Sequence, residues 1–309
     1  MIEATGLQKR YGRLTAVDGI GFRVEPGEVL GFLGPNGAGK STTMRMIAGF
    51  LAPTAGTARV CGHDVQTDAL AARRALGYLP EGAPLYGEMT PRGLLDFVAD
   101  LRGMPAGLRR QRLDFVIARL NLQSVLGQPI DTLSKGFRRR VGLAAAILHD
   151  PAALIMDEPT DGLDPNQKHE VRGLITELAR ERTVLLSTHI LEEVEAVCTR
   201  AIIIARGRLL ADATPSELVA RSRYHNAVSL LPSDSIAARA ALEGMPGVSG
   251  FEHDQLDTRL YVFAQGKAKL LEPVAERLRQ RGVGFDGLRL ERGRLDEVFR
   301  RITAGEAAA

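Results

Sequence analysis

Apolar positions change their spacing along this chain. In the first third, short apolar stretches alternate with glycine-rich turns. Val29 to Leu33 is apolar and ends in a glycine loop. Lys40 to Ala48 follows with helical spacing, and Gly49 stands where a helix would stop. Ala58–Val60 and Gly77–Leu79 read as further short strands. From about Thr90 to Asp150 the period lengthens. Leu94, Leu95, Phe97, Val98 and Leu101 recur at helical intervals, as do Leu113, Val116, Ile117 and Leu120. Strands return at Ala153–Met156, Thr183–Ser187 and Ala201–Ile204. Strands alternating with helices predict an α/β fold with a mostly parallel sheet, interrupted by a helical insert.

After about Arg221 the pattern starts again on a smaller scale. Ala227–Leu231 reads as a strand, Ile236–Leu242 as a helix, and Val248–Phe251 with Arg259–Phe263 as an antiparallel pair. Ala268–Arg281 reads as a helix, Gly284–Arg289 as extended and Leu295–Ile302 as a last helix. The order β-α-β-β-α-β predicts a small α+β domain of ferredoxin-like arrangement. The expected division is a first domain over 1–220, with a helical subdomain over about 85–150, and an accessory domain over 225–309.

Composition narrows the class without changing this picture. Of 309 residues, 45% are hydrophobic and 25% charged, which suits an ordered globular chain. The formal net charge of +3 is mild, so no nucleic-acid partner is expected. No apolar run approaches the roughly 18 to 20 residues that span a bilayer, and the N-terminus lacks the apolar core of a signal peptide. A soluble, cytoplasmic chain is expected. Cys61 and Cys198 form no CxxC pair, so no metal framework follows and both read as small core residues. No internal repeat is present, so each chain carries a single set of the motifs below.

Gly34-Pro35-Asn36-Gly37-Ala38-Gly39-Lys40-Ser41 fits GxxxxGK[ST], between a strand and a helix. Glycines let backbone N–H groups turn inward around phosphates, and the following helix aims its positive end at them. Lys40 would reach the β- and γ-phosphates of ATP, Ser41 would ligate Mg²⁺, and Thr42 would help near the α-phosphate. Leu154-Ile155-Met156-Asp157-Glu158 is an apolar strand ending in two acids. Asp157 is placed to hold Mg²⁺, and Glu158 to orient or deprotonate an attacking water. His189 follows another strand at the end where open α/β sheets bind ligands, and is expected to meet the γ-phosphate.

With these residues in hand, positions 1 to about 220 resemble the nucleotide-binding subunits of ABC transporters. Leu133-Ser134-Lys135-Gly136-Phe137 stands where that family carries its LSGGQ signature. Ser134 and Gly136 match; Lys135 and Phe137 depart. The resemblance implies that Ser134 and Gly136 point N–H groups at the γ-phosphate held by a partner subunit. It implies that Asp164, in Gly162-Leu163-Asp164, couples the two subunits, and that Tyr11 stacks on adenine. Glu81 stands where the family usually has Gln. It is expected to contact Mg²⁺ and the water, with an added negative charge that would slow hydrolysis. Leu-Ser-Lys-Gly-Phe-Arg, Gly-Leu-Asp-Pro-Asn-Gln and the closing Leu295-Asp296-Glu297-Val298-Phe299 resemble the export-type branch with gliding-motility and multidrug ATPases. Arg138, Arg139 and Arg140 read as a solvated basic face.

The resemblance implies an ATPase working as one of a pair, with a second copy or a paralogous subunit. It also implies an integral membrane permease encoded separately, which would hold the chain on the inner face of the membrane. Two other readings compete with this one. An ABC ATPase acting on DNA or ribosomes usually carries two cassettes or a coiled-coil insert, and neither is present here. A non-hydrolysing regulatory binder fits poorly with Glu158 and His189.

Overall fold

The computed structural model describes residues 1–254, 257–266 and 268–305, and the chain divides into two units, Met1–Thr214 and a second from Pro215 onward. The first unit opens with strands β1 (Ile2–Tyr11), β2 (Leu14–Val24) and β3 (Val29–Leu33), then helix α1 (Lys40–Ile47). There follow β4 (Ala55–Val60), β5 (His63–Asp64), α2 (Ala69–Ala75) and β6 (Leu76–Leu79). The helical insert consists of α3 (Pro91–Leu101), α4 (Ala106–Arg119) and α5 (Lys135–Ile147). The unit closes with β7 (Ala153–Asp157), α6 (Pro165–Ala179), β8 (Thr183–Thr188), α7 (Leu191–Val197), β9 (Arg200–Ala205) and β10 (Arg208–Ala213).

These strands make two sheets. A six-stranded sheet has the order β10-β9-β3-β8-β7-β6, parallel except for the β9–β10 hairpin. Its inner strands β3, β7 and β8 are buried along their whole length, which is why they read as unbroken apolar runs. A four-stranded antiparallel sheet, β2-β1-β4-β5, packs beside it. Ile2, Leu7 and Ile20 from this sheet share one core with Phe32, Ile155 and Ile202 from the larger one, around Met44 and Met46 of α1.

In the insert, Thr90 opens α3. Its hydroxyl accepts from the Gly93 amide at 3.0 Å, and Pro91 sits in the first turn, where no N–H is needed. Leu94 and Leu95 face inward, whereas Phe97 and Leu101 are 40% and 72% exposed. The basic run on α5 departs from expectation. Arg138 is exposed, but Arg139 and Arg140 are buried, because they fall on the same helical stripe as Gly136, Leu143 and Ile147.

The second unit contains α8 (Pro215–Ala220), β11 (Val228–Pro232), α9 (Ser235–Leu242), β12 (Val248–His253), β13 (Leu260–Ala264), α10 (Leu271–Gln280), β14 (Phe285–Leu290) and α11 (Leu295–Gly305). Its sheet runs β12-β13-β11-β14 with every neighbouring pair antiparallel. Val228, Leu230, Leu260 and Val262 pack on Ala238, Leu242, Val274 and Leu278 of the helices. Contacts between α8 and α11 draw the division back to Thr214, ahead of residue 220. Of the expected accessory domain, residues 255, 256, 267 and 306–309 lie outside the described residues.

Candidate functional site

Strands β3, β8, β7 and β6 are parallel neighbours, so the loops that leave their C-terminal ends emerge along one edge of the sheet. That edge is where open α/β sheets take ligands. The loops carry Gly34 to Gly39, His189, Glu158 and Glu81 respectively.

The glycine loop is pressed against its neighbours. A Cβ on Gly34 would lie 2.5 Å from the Ile204 carbonyl oxygen, and one on Gly39 2.5 Å from that of Ala16. Gly39 also adopts φ 102°, open in practice to glycine. No side chain caps the start of α1, so its first amides are left for an anion. Lys40 is buried. Its Nζ donates to the carbonyls of Gly34 at 2.6 Å and Pro35 at 3.2 Å. Burial holds its pKa below the ordinary lysine value, and the charges of Glu158, Asp157 and Glu81 work against that shift. These carboxylates therefore lie within electrostatic reach of the lysine. Ser41 and Thr42 follow, both half-buried on the first turn of α1.

Asp157 is 2% exposed. Ser187, its register partner on β8, donates its hydroxyl to Asp157 Oδ1. Oδ2 is buried and has no hydrogen-bond partner among the described residues. Glu158 leaves the strand with φ 52°, a left-handed conformation that costs a side-chain-bearing residue about 1 to 3 kcal/mol. Its amide donates to the Ser187 carbonyl at 3.0 Å. Its Oε1 lies 2.9 Å from His189 Nδ1, and Oε2 is buried without a partner among the described residues. Buried orphan carboxylate oxygens beside a serine make a hard oxygen donor set. That set fits Mg²⁺, which takes one or two carboxylates and completes its shell with water and phosphate oxygens. Among the described residues no group of three or more His, Cys, Asp or Glu stands together as a metal cage.

A second cluster gathers at the start of α5. Ser134 caps this helix by accepting from the Phe137 amide at 3.3 Å. Lys135 reaches Asp161 at 2.8 Å and lies across Gly162, while Gly136 is packed against Gln167 and Leu163. The Lys135 ammonium beside it is the main cause holding the Asp161 carboxyl below its usual range. Asp164 caps α6, accepting from the Gln167 amide at 2.9 Å. Tyr11 ends β1 half exposed, with the Lys9 ammonium 5.3 Å from its ring centre.

Two groups that touch the site escaped the sequence reading. Ser187, the partner of Asp157, is known only once β7 and β8 are in register. Arg139 left a fainter signal: it shares a helical stripe with apolar residues, and its guanidinium contacts the backbone around Glu158 and Pro80.

A large cavity opens beside the Glu81 loop. It has a volume of about 1000 Å³ and is lined by Phe50, Leu70, Tyr86, Phe97 and Leu101, all strongly exposed, together with Glu81 itself.

Residues 17–161 match the family model described as ABC transporter. The chain is 39% identical over 307 residues to a Nod factor export ATP-binding protein I of Paraburkholderia xenovorans, covering 99% of this chain and 97% of the relative. It is 35% identical to the daunorubicin resistance ATP-binding protein DrrA3 of Streptomyces coeruleorubidus, covering 99% and 96%. Among solved structures it resembles an ATP-binding subunit of an ABC transporter with TM-score 0.67 and 32% identity, over 71% of this chain and 91% of that one. A dimeric bacterial ABC transporter cassette shares the fold, with TM-score 0.64 and 23% identity over 70% of this chain and 99% of that one.

Proposed function

The chain belongs to the ABC transporter family as an ATP-binding and ATP-hydrolysing subunit, and from that premise we propose that it powers export of a substrate through a separately made membrane permease. The observation that carries the reading is the convergence of the Lys40 loop, Asp157, Glu158 and His189 on one sheet edge. The roles below are our assignments. The Gly34–Gly39 amides and Lys40 hold the β- and γ-phosphates, with Thr42 near the α-phosphate and Tyr11 against adenine. Ser41, Asp157 and Glu81 hold Mg²⁺, which when bound offsets phosphate charge. Glu158 orients the attacking water and takes its proton. His189, 2.9 Å from the Glu158 carboxylate, holds that carboxylate in place and faces the γ-phosphate.

Ser134 and Gly136 complete the site of a second subunit, either a copy of this chain or a paralogue, and Asp164 joins the two halves. ATP shared between both stabilises the closed pair by its preference for that state over the open one. The exposed apolar groove beside Glu81 suits a cytoplasmic helix of the permease, since exposed apolar patches of this kind mark interaction sites. Such docking would keep the subunit peripheral on the inner membrane face; among the described residues no helix is long and apolar enough to cross a membrane. The export names carried by the relatives support the direction of transport.

The test is turnover per chain against protein concentration, with and without the permease in nanodiscs. We expect the rate to rise with concentration and again with the permease, and Glu158→Gln to accumulate ATP-dependent pairs with turnover reduced at least about 100-fold. A rate indifferent to both concentration and permease would sink the proposal.

A further inference from the structure

Arg139 is a buried cation that none of these roles uses. It lies on α5, five residues after the capping Ser134, with 4% of its surface exposed. Its Nη1 donates to the Pro80 carbonyl at 2.8 Å, and its Nη2 contacts the carbonyls of Asp157 and Glu158. Those last two carbonyls belong to the peptide planes on either side of the Glu158 α-carbon. Fixing both planes fixes φ and ψ of Glu158 together. This is the residue found in the left-handed region at φ 52°, a conformation that persists only where the surroundings over-determine it. Glu158 Oε1 meets His189 Nδ1 from that conformation. The third carbonyl belongs to the residue before Glu81, and α5 reaches that loop closely: a Cβ on Gly142 would lie 3.0 Å from Ala83 Cβ.

We propose that Arg139 is a positioning residue for Glu158, a planar fork that locks the glutamate's strained backbone and ties it to the loop carrying Glu81. The inference rests on reading Glu158 as the group that activates water. Arg139 touches no reacting atom. Its role is to keep the Glu158 carboxylate in one orientation, so its loss lowers the rate of the chemical step and leaves ATP binding in place. Lysine keeps the buried charge but lacks the rigid fork that reaches three carbonyls at once.

The test uses the full chain with Arg139→Gln and Arg139→Lys, each alone and combined with Glu158→Gln, in steady-state and single-turnover hydrolysis. We expect Arg139→Gln to lower kcat at least about tenfold with KM for ATP within about threefold, and Arg139→Lys to fall between it and the parent. Residues acting through one another are not additive, so on the Glu158→Gln background Arg139→Gln should change the residual rate by less than about twofold. Wild-type kcat in Arg139→Gln overturns the proposal, as does a further tenfold loss on the Glu158→Gln background. If Arg139→Gln does not fold, Arg139→Lys decides: parental kcat there overturns the proposal equally. Normal turnover in Glu158→Gln alone overturns the role of Glu158 and this inference with it, whatever Arg139 does.

Discussion

His149 stands just after α5 with Nε2 3.1 Å from the Leu76 carbonyl oxygen. Its pKa is pushed down to about 4, first by burial and then by the charge of Arg102, with a smaller push from Arg112; the Leu76 carbonyl and Asp150 oppose the shift. The folded chain thus keeps His149 neutral where an unfolded chain, titrating near pH 6.5, takes up a proton. The unfolded state binds more protons between about pH 6.5 and 4. Stability from this residue is therefore complete above the upper value and drains away as pH falls through the window. At pH 5 the loss amounts to about 2 kcal/mol. Urea midpoints at pH 7 and pH 5 should differ accordingly, and His149→Gln, which keeps a donor for Leu76, should flatten that difference. An unchanged slope in the variant would remove the assignment. At this scale the side chains gathered at the sheet edge were legible because each follows an apolar run or a glycine loop. The φ of Glu158 and the buried guanidinium of Arg139 were not, since both depend on segments distant in the chain.

Among the elements, β6 and α5 approach closely through a glycine. A Cβ on Gly77 would fall 2.2 Å from the Ala146 carbonyl oxygen and 2.8 Å from Pro151 Cγ. The first obstacle is backbone at the end of α5 and cannot rotate aside. Gly77→Ala should destabilise the first unit by about 1 to 3 kcal/mol, read as a lowered urea midpoint for its transition. A neutral effect would mean that α5 can slide on the sheet. The same elements show where periodicity works as a guide. β3, β7 and β8 were legible as strands because they are covered on both faces. β1 and β2 form a half-exposed sheet whose register shifts between Ala4 and Leu7 and again between Lys9 and Arg10, so no clean alternation survives in the sequence. On α3, Phe97 and Leu101 share the helical period of Leu94 and Leu95, yet they turn outward.

For the whole molecule, that outward turn has a consequence. Phe97 and Leu101 join Phe50, Leu70 and Tyr86 around the cavity beside Glu81, drawing an apolar surface from the core sheet's flank and from the insert. Phe97→Glu and Leu101→Glu change α3, not the phosphate loop or the strand end that carries Glu158. Basal turnover should stay within about twofold, while affinity for the permease, titrated in nanodiscs, should weaken at least about tenfold, as for central apolar anchors of an interface. Retained permease affinity in both variants would move the docking surface elsewhere.

The sequence by itself determined the local chemistry: a phosphate loop between strand and helix, an acid pair closing an apolar strand, a histidine after another. These are short-range patterns, and each needs only its own neighbours along the chain to be recognisable. It also carried the β-α-β-β-α-β order of the second unit, because each element there has its own period. Only the tertiary structure decided what these parts meet. Parallel register set Ser187 against Asp157 and His189 against Glu158. Burial converted two arginines of an apparent surface run into interior groups, one of them gripping the backbone of Glu158. Helical period alone names a stripe of residues without saying which neighbour covers it; on α3 packing buried Leu94 and left Phe97 and Leu101 facing outward, lining the groove.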